Sequence, residues 1–186
     1  YLVALINKCD IKKYGKLHRK HQELNNILGE LFLAYQHNFI SLKNALHIIN
    51  IKKEEVKEKI SQLKTLEINK AKTPEEKDLA TNIINVYSNV MMMEFKKIQR
   101  ELQYYHIASL KSEQQARALS HNKNTPNEGL FRVRGQVDGI EYDSYVVLSK
   151  DAAPSITINT EFKDPINNEV LFKRHHDRMK RRNKQY

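Results

Sequence analysis

The stretch Gly139 to Lys163, GIEYDSYVVLSKDAAPSITINTEFK, decides the reading of this chain, because here residue pattern and backbone geometry constrain each other. Asp138-Gly139 is a strong signal for a two-residue hairpin turn, since both central positions of a type I′ turn take positive φ and these residues tolerate it. The flanking runs Leu130 to Val137 and Ile140 to Ser149 are expected to pair as antiparallel strands. A third strand is expected from Ser155 to Phe162. Along it Ile156, Ile158, Thr160 and Phe162 alternate with Thr157, Asn159, Glu161 and Lys163, the period-two pattern of a half-buried strand. Folding strands two and three about position 152 places Asp143 opposite Glu161.

Adjacent strands lie about 4.8 Å apart, and residues two apart along a strand share a face. On that register Asp143, Glu161 and Lys163 converge on one patch. Two neighbouring carboxylates raise each other's pKa unless a cation lies between them. A hard divalent ion, Mg²⁺ or Mn²⁺, accepts such oxygen ligands and keeps waters that a phosphate can replace. A lysine beside it can orient an attacking water or stabilise developing negative charge.

Asp143, followed by a strand ending in Glu161-Phe162-Lys163, resembles the core motif of the restriction-endonuclease-like PD-(D/E)xK nucleases. The resemblance covers positions 120 to 183: a helix, a three-stranded meander and a following helix. Tyr142 stands where the motif has proline. The resemblance implies that Asp143 and Glu161 hold the metal and that Lys163 assists catalysis. It also implies a further acid from the preceding helix, for which Glu94, Glu101 and Glu113 are candidates.

The 186 residues carry 32 Lys and Arg against 22 Asp and Glu, a formal charge of +10, which favours an acidic partner such as nucleic acid or an anionic membrane surface. The single cysteine, Cys9, excludes an internal disulfide and a cysteine-rich zinc motif, so a reducing, cytoplasmic setting is expected. No run approaches the length of a membrane-spanning helix. The opening Tyr1-Leu2-Val3-Ala4-Leu5-Ile6 is too short for the apolar region of a signal peptide. A chain starting with tyrosine is expected to be a processed product or a fragment.

The amino-terminal part reads as helical. Leu17, Leu24, Ile27, Leu28, Leu31, Phe32 and Tyr35 recur at helical spacing, leaving Lys16, His18, Arg19, Lys20 and His21 for water. A second pattern runs from Asn38 to Ile49, and Asn50 is expected to cap a third, charge-rich segment. His18 with His21, and His37 with His47, lack carboxylates at ligand spacing and read as surface histidines. Thr73-Pro74-Glu75-Glu76 begins a helix. If unbroken to Leu119 this helix is roughly 70 Å long; the alternative is a break near Ser109 to Ser112. Its stripe of Ile84, Tyr87, Met91, Phe95, Ile98, Leu102 and Tyr105 suits a bundle or a coiled-coil protein partner.

The loop Ser120 to Gly129 is the expected boundary between a helical domain, 1–119, and a domain of 120–186 with a small antiparallel sheet and a basic carboxy-terminal helix. The fold class is therefore α+β. Arg132 and Arg134 share one face of the first strand and can grip phosphate. Seven lysines and arginines against one aspartate lie between Lys173 and Tyr186, and Lys173, Arg174, Arg178, Lys180, Arg181 and Arg182 are further candidates for nucleic-acid contact. Two functions follow. One is a metal-dependent nuclease hydrolysing phosphodiesters. The other is a non-enzymatic helical interaction module, part of a larger assembly or an effector, that binds a protein partner and, through its basic tail, nucleic acid or acidic lipid.

Overall fold

The structure is a computed structural model that describes residues 11–124 and 126–160. Among these residues the order is α1 (Ile11–Gln36), α2 (Leu42–Lys70), α3 (Pro74–Ser120), β1 (Gly129–Val137), β2 (Ile140–Leu148) and β3 (Ser155–Thr160). This is the expected α+β arrangement of helices followed by an antiparallel meander. The expected carboxy-terminal helix lies outside the described residues. No helix of the described residues is long and apolar enough to cross a membrane. The chain divides into two compact units, Tyr1–Gln99 and Arg100–Tyr186, so the division falls within α3 and not in the loop after it.

In the first unit, α1 ends in a paired-bond cap. Asn38 takes φ 60°, the Phe39 amide donates to the Ala34 carbonyl at 2.9 Å and the Asn38 amide to Tyr35 at 3.0 Å. The chain reverses there, and Ser41 caps α2 by accepting from the Asn44 amide at 3.1 Å. Asn50 caps nothing, because α2 continues through it to Lys70. Ala45 and Ile49, in the turn and a half before this position, are buried, and that packing outweighs the weak helix-stopping tendency of an asparagine. Thr73 starts α3 as expected, accepting from the Glu76 amide at 3.2 Å, while the Glu76 carboxylate accepts from the Lys72 amide at 2.8 Å. Leu17, Ile83, Ile84 and Tyr87 form a buried cluster joined by Ile60 and Leu63. Lys64 donates to Asn85 and Gln99 donates to Asn50, which sets α2 antiparallel to α3. The α3 stripe from Ile84 to Tyr105 is consumed in the cores of the chain itself, each of its seven residues being 7% exposed or less.

The second unit is a three-stranded sheet, ordered β1-β2-β3, on the carboxy-terminal part of α3. The type I′ turn forms where expected: Asp138 and Gly139 take φ 51° and 79°, and Val137 pairs with Ile140. Ala108, Ser112, Ala116 and Ser120 recur every fourth residue along α3, and all four are fully buried. Residues four apart line one helix face. Having almost no side chain, this stripe lets the sheet lie close: Ala116 packs with Phe131, Val133, Val146, Leu148 and Ile156. The Ser112 hydroxyl donates to that of Ser144 at 2.8 Å. The helix is thus unbroken at 109–112, where the polar residue is an internal contact.

Longer side chains flanking the stripe donate to strand backbone. Lys111 reaches the Gln136 carbonyl at 3.1 Å, Gln115 the Arg134 carbonyl at 2.9 Å, and Tyr105 the Ile156 carbonyl at 3.3 Å. Tyr104 donates to the Ile140 carbonyl at 2.9 Å. Tyr142 lies across Gly135, its cross-strand partner, and donates to Gln115 at 3.0 Å.

Two outcomes test this packing. A Ser112→Ala exchange leaves a buried hydroxyl without its partner and is expected to cost about 1–3 kcal/mol in urea unfolding, with the Ser112→Ala/Ser144→Ala double variant losing less than the two single losses combined. At Gly135 an added Cβ meets Tyr142 Cζ at 2.6 Å. Gly135→Ala is therefore expected to displace the Tyr142 ring and destabilise by about 1–3 kcal/mol, read from the unfolding midpoint.

Candidate functional site

Alternation along the strands separates two faces. Phe131, Val133, Val137, Tyr142, Ser144, Val146 and Leu148 are buried toward α3. The other face is exposed. Strand pairing arranges its side chains in rows: Leu130, Val147 and Ser155; then Arg132, Tyr145 and Thr157; then Arg134, Asp143 and Asn159. Directly opposed residues of an antiparallel pair share a face.

This register corrects one expectation. Asp143 pairs with Asn159, not Glu161, because the β2–β3 connection is centred on position 151. Proline has no amide to give to a ladder. Pairing begins after Pro154, with Ser155 opposite Val147, and Lys150 in the connection lies 3.9 Å from Glu128. Glu161 and Lys163 lie outside the described residues, as do Lys173, Arg174, Arg178, Lys180, Arg181 and Arg182. Of the residues expected to form the site, the structure brings together Asp143, Arg132 and Arg134.

Asp143 is an ion-paired carboxylate. Arg132 reaches it diagonally across the strands, donating from Nε to Oδ1 at 3.0 Å and from Nη2 to Oδ2 at 2.5 Å. Arg134, directly opposite, places Nε 3.7 Å from Oδ1. The Arg132 guanidinium also lies over the Tyr145 ring, 5.6 Å from its centroid. Hydrogen bonding from Arg132 holds the Asp143 carboxyl below its ordinary pKa; desolvation opposes it, and the charges of Arg132 and Arg134 add to the lowering. The same hydrogen bond raises Arg132. With both oxygens accepting from one guanidinium, Asp143 chiefly orients Arg132, and a divalent ion would compete with that fork for the same lone pairs.

The helix acids do not join Asp143. The carboxy-terminal part of α3 packs on the buried face of the sheet, and Asp143 projects from the other. Glu113 is paired with Arg117 at 2.8 Å. Glu101 is buried, and Glu94 belongs to the helical unit, 3.8 Å from His21. No group of three metal-ligating residues forms among the described residues. Tyr145, Thr157 and Asn159 are the outer-face residues that motif reading passed over; the period-two alternation already places them beside Arg132 and Asp143.

Charge divides sharply along the chain. Residues 100–160 hold seven lysines and arginines against seven acids, whereas residues 1–99 hold seventeen against eleven. Five of those cations fall between Lys12 and Lys20, with no acid until Glu23. Lys16, Arg19 and Lys20 are exposed there on α1. Compared with known proteins, the chain matches no family model, no curated protein and no solved structure.

The Asp143 ion pair has a defined pH signature. A carboxyl with a lowered folded-state pKa adds stability that is fully present above its unfolded value, near 3.8, and is lost as pH falls through the folded value. The Asp143 carboxyl carbon is expected to titrate below the ordinary aspartate value in NMR. Arg132→Ala is expected to move that titration up toward the ordinary range.

Proposed function

We propose that this chain is a non-enzymatic nucleic-acid-binding module whose phosphate contacts come from the cationic start of α1 and from the basic segment Lys173 to Arg182. The observation that carries this reading is the segregation of charge. Lys16, Arg19 and Lys20 form an exposed cationic run unrelieved by any acid before Glu23, while the sheet unit through residue 160 is balanced. Such a run attracts a polyanion by counterion release, without sequence preference. A bilayer fits it less well. A membrane-surface helix needs an apolar face to insert, and Leu17, Leu24 and Leu28 of α1 are 4% exposed or less, their apolar surface already committed to the bundle core.

The metal-dependent nuclease is the second reading, favoured by one observation. Asp143 and Asn159 stand directly opposed on the exposed face, on the strand that leads toward Glu161 and Lys163. In that reading Asp143 and Glu161 hold Mg²⁺ or Mn²⁺ and Lys163 assists attack by water. The metal would have to displace the Arg132 fork, and this favours the binding module.

Fluorescence anisotropy with a labelled oligonucleotide across a salt series separates the two. The Lys16→Glu/Arg19→Glu/Lys20→Glu variant is expected to weaken binding and to reduce the slope of log K against log salt by about 2. The labelled strand is expected to stay intact in Mn²⁺. Binding and slope unchanged in the triple variant would defeat the module reading. Chelator-sensitive cleavage that Asp143→Ala abolishes would establish the nuclease in its place.

A further inference from the structure

The exposed face of the sheet has a chemistry of its own. Tyr145 stands near the middle of the central strand and keeps 39% of its surface exposed. Its neighbours across the strands are Arg132 on one side, whose guanidinium lies over the ring 5.6 Å from its centroid, and the small Thr157 on the other. The next row toward the loop end has two apolar members, Leu130 64% and Val147 46% exposed, with Ser155 beside them. The next row the other way holds Arg134, its side chain 69% exposed, with Asp143 and Asn159. Across these three rows two guanidiniums face one carboxylate, and the next row on the same face, Gln136 opposite Glu141, adds a second acid beyond Arg134.

We propose that this face is a stacking platform for single-stranded nucleic acid: the Arg132 guanidinium lies over the Tyr145 ring, a base stacks against this pair, and Arg134 meets the adjoining phosphate. Asp143 is the positioning residue, since its fork fixes the plane of Arg132 next to the ring. Aromatic rings and guanidinium planes accept any unstacked base, because every base has a π-face. In a duplex those faces are already stacked on one another. A flat sheet surface reaches only the backbone of a duplex, so the platform discriminates for the single strand. Leu130 and Val147 supply apolar contact for a neighbouring base or sugar. The inference rests on the nucleic-acid reading above and names the form of nucleic acid that this second surface selects.

The experiment compares a labelled oligothymidylate with a labelled hairpin duplex of equal phosphate number, using the full chain. Binding is measured for wild type, Tyr145→Phe, Tyr145→Ala and Tyr145→Leu, with polyglutamate as competitor. The leucine variant keeps apolar bulk on the strand but removes the π-face, so it tests stacking in a side chain that the sheet tolerates. Tyr145→Ala and Tyr145→Leu are expected to lose single-strand affinity by about five- to 150-fold, with duplex affinity unchanged and Tyr145→Phe close to wild type. Single-strand affinity unaltered in the leucine variant overturns the platform and leaves the charge-based reading standing. Equal losses for single strand and duplex, or polyglutamate competing as well as oligothymidylate, also overturn it. A wild-type chain that binds neither nucleic acid removes both readings.

Discussion

The second unit depends on how closely the sheet can approach α3. A helix facing a sheet normally presents large apolar side chains, which hold the two layers apart. Here Ala108, Ser112, Ala116 and Ser120 present almost none, and Ser112 meets Ser144 at hydrogen-bond distance in the buried layer. A buried hydroxyl is tolerable only when bonded, so this contact fixes the rotation of α3 against the strands as well as its distance. A slip of one residue in the strand would turn Ser144 outward and bury Asp143 or Tyr145 instead. The identity of the exposed face therefore follows from a pair of serines on the opposite one.

That close approach also determines which parts of the sheet are available. A three-stranded sheet has two edges of unpaired carbonyls and amides, which invite further strands. Lys111 and Gln115 reach carbonyls of β1, and Tyr105 reaches one of β3, because the small stripe brings their longer neighbours within range. The edges are thereby partly satisfied from within the unit. What remains open is the broad face, where Arg132, Tyr145 and Asp143 hold one another in place. An exposed ion pair of this type contributes little to stability. Its effect is to give a flexible arginine a fixed orientation.

The legible parts of the sequence were those where one residue type answers one local geometric demand. Asp138-Gly139 met the φ requirement of a type I′ turn, and that turn set the β1–β2 register. Thr73 and Glu76 announced the start of α3 in the same way. The β2–β3 register escaped because a six-residue connection has no such demand, and moving its centre by a single position shifts every pair by two. Faces survived that error, since a shift of two preserves parity; partners did not, and Asp143 met Asn159. Asn50 misled because capping preference is worth about 1 kcal/mol and the burial of Ala45 and Ile49 outweighs it. The small stripe of α3 was illegible to a search for large apolar residues, since Ser112 and Ser120 count as polar until their partners are known.

The exchange of Glu161 for Asn159 opposite Asp143 also changes what the patch can do. Two acids face to face demand a cation between them, and a metal is the natural answer. One acid between two guanidiniums is already satisfied, and Arg134, its side chain 69% exposed, remains open to solvent. A phosphate can meet Arg134 without disturbing the Arg132 fork, whereas a metal ion must first break it. Phosphate and divalent metal thus make opposite demands on Asp143, and the hydrogen bonds it accepts favour the phosphate.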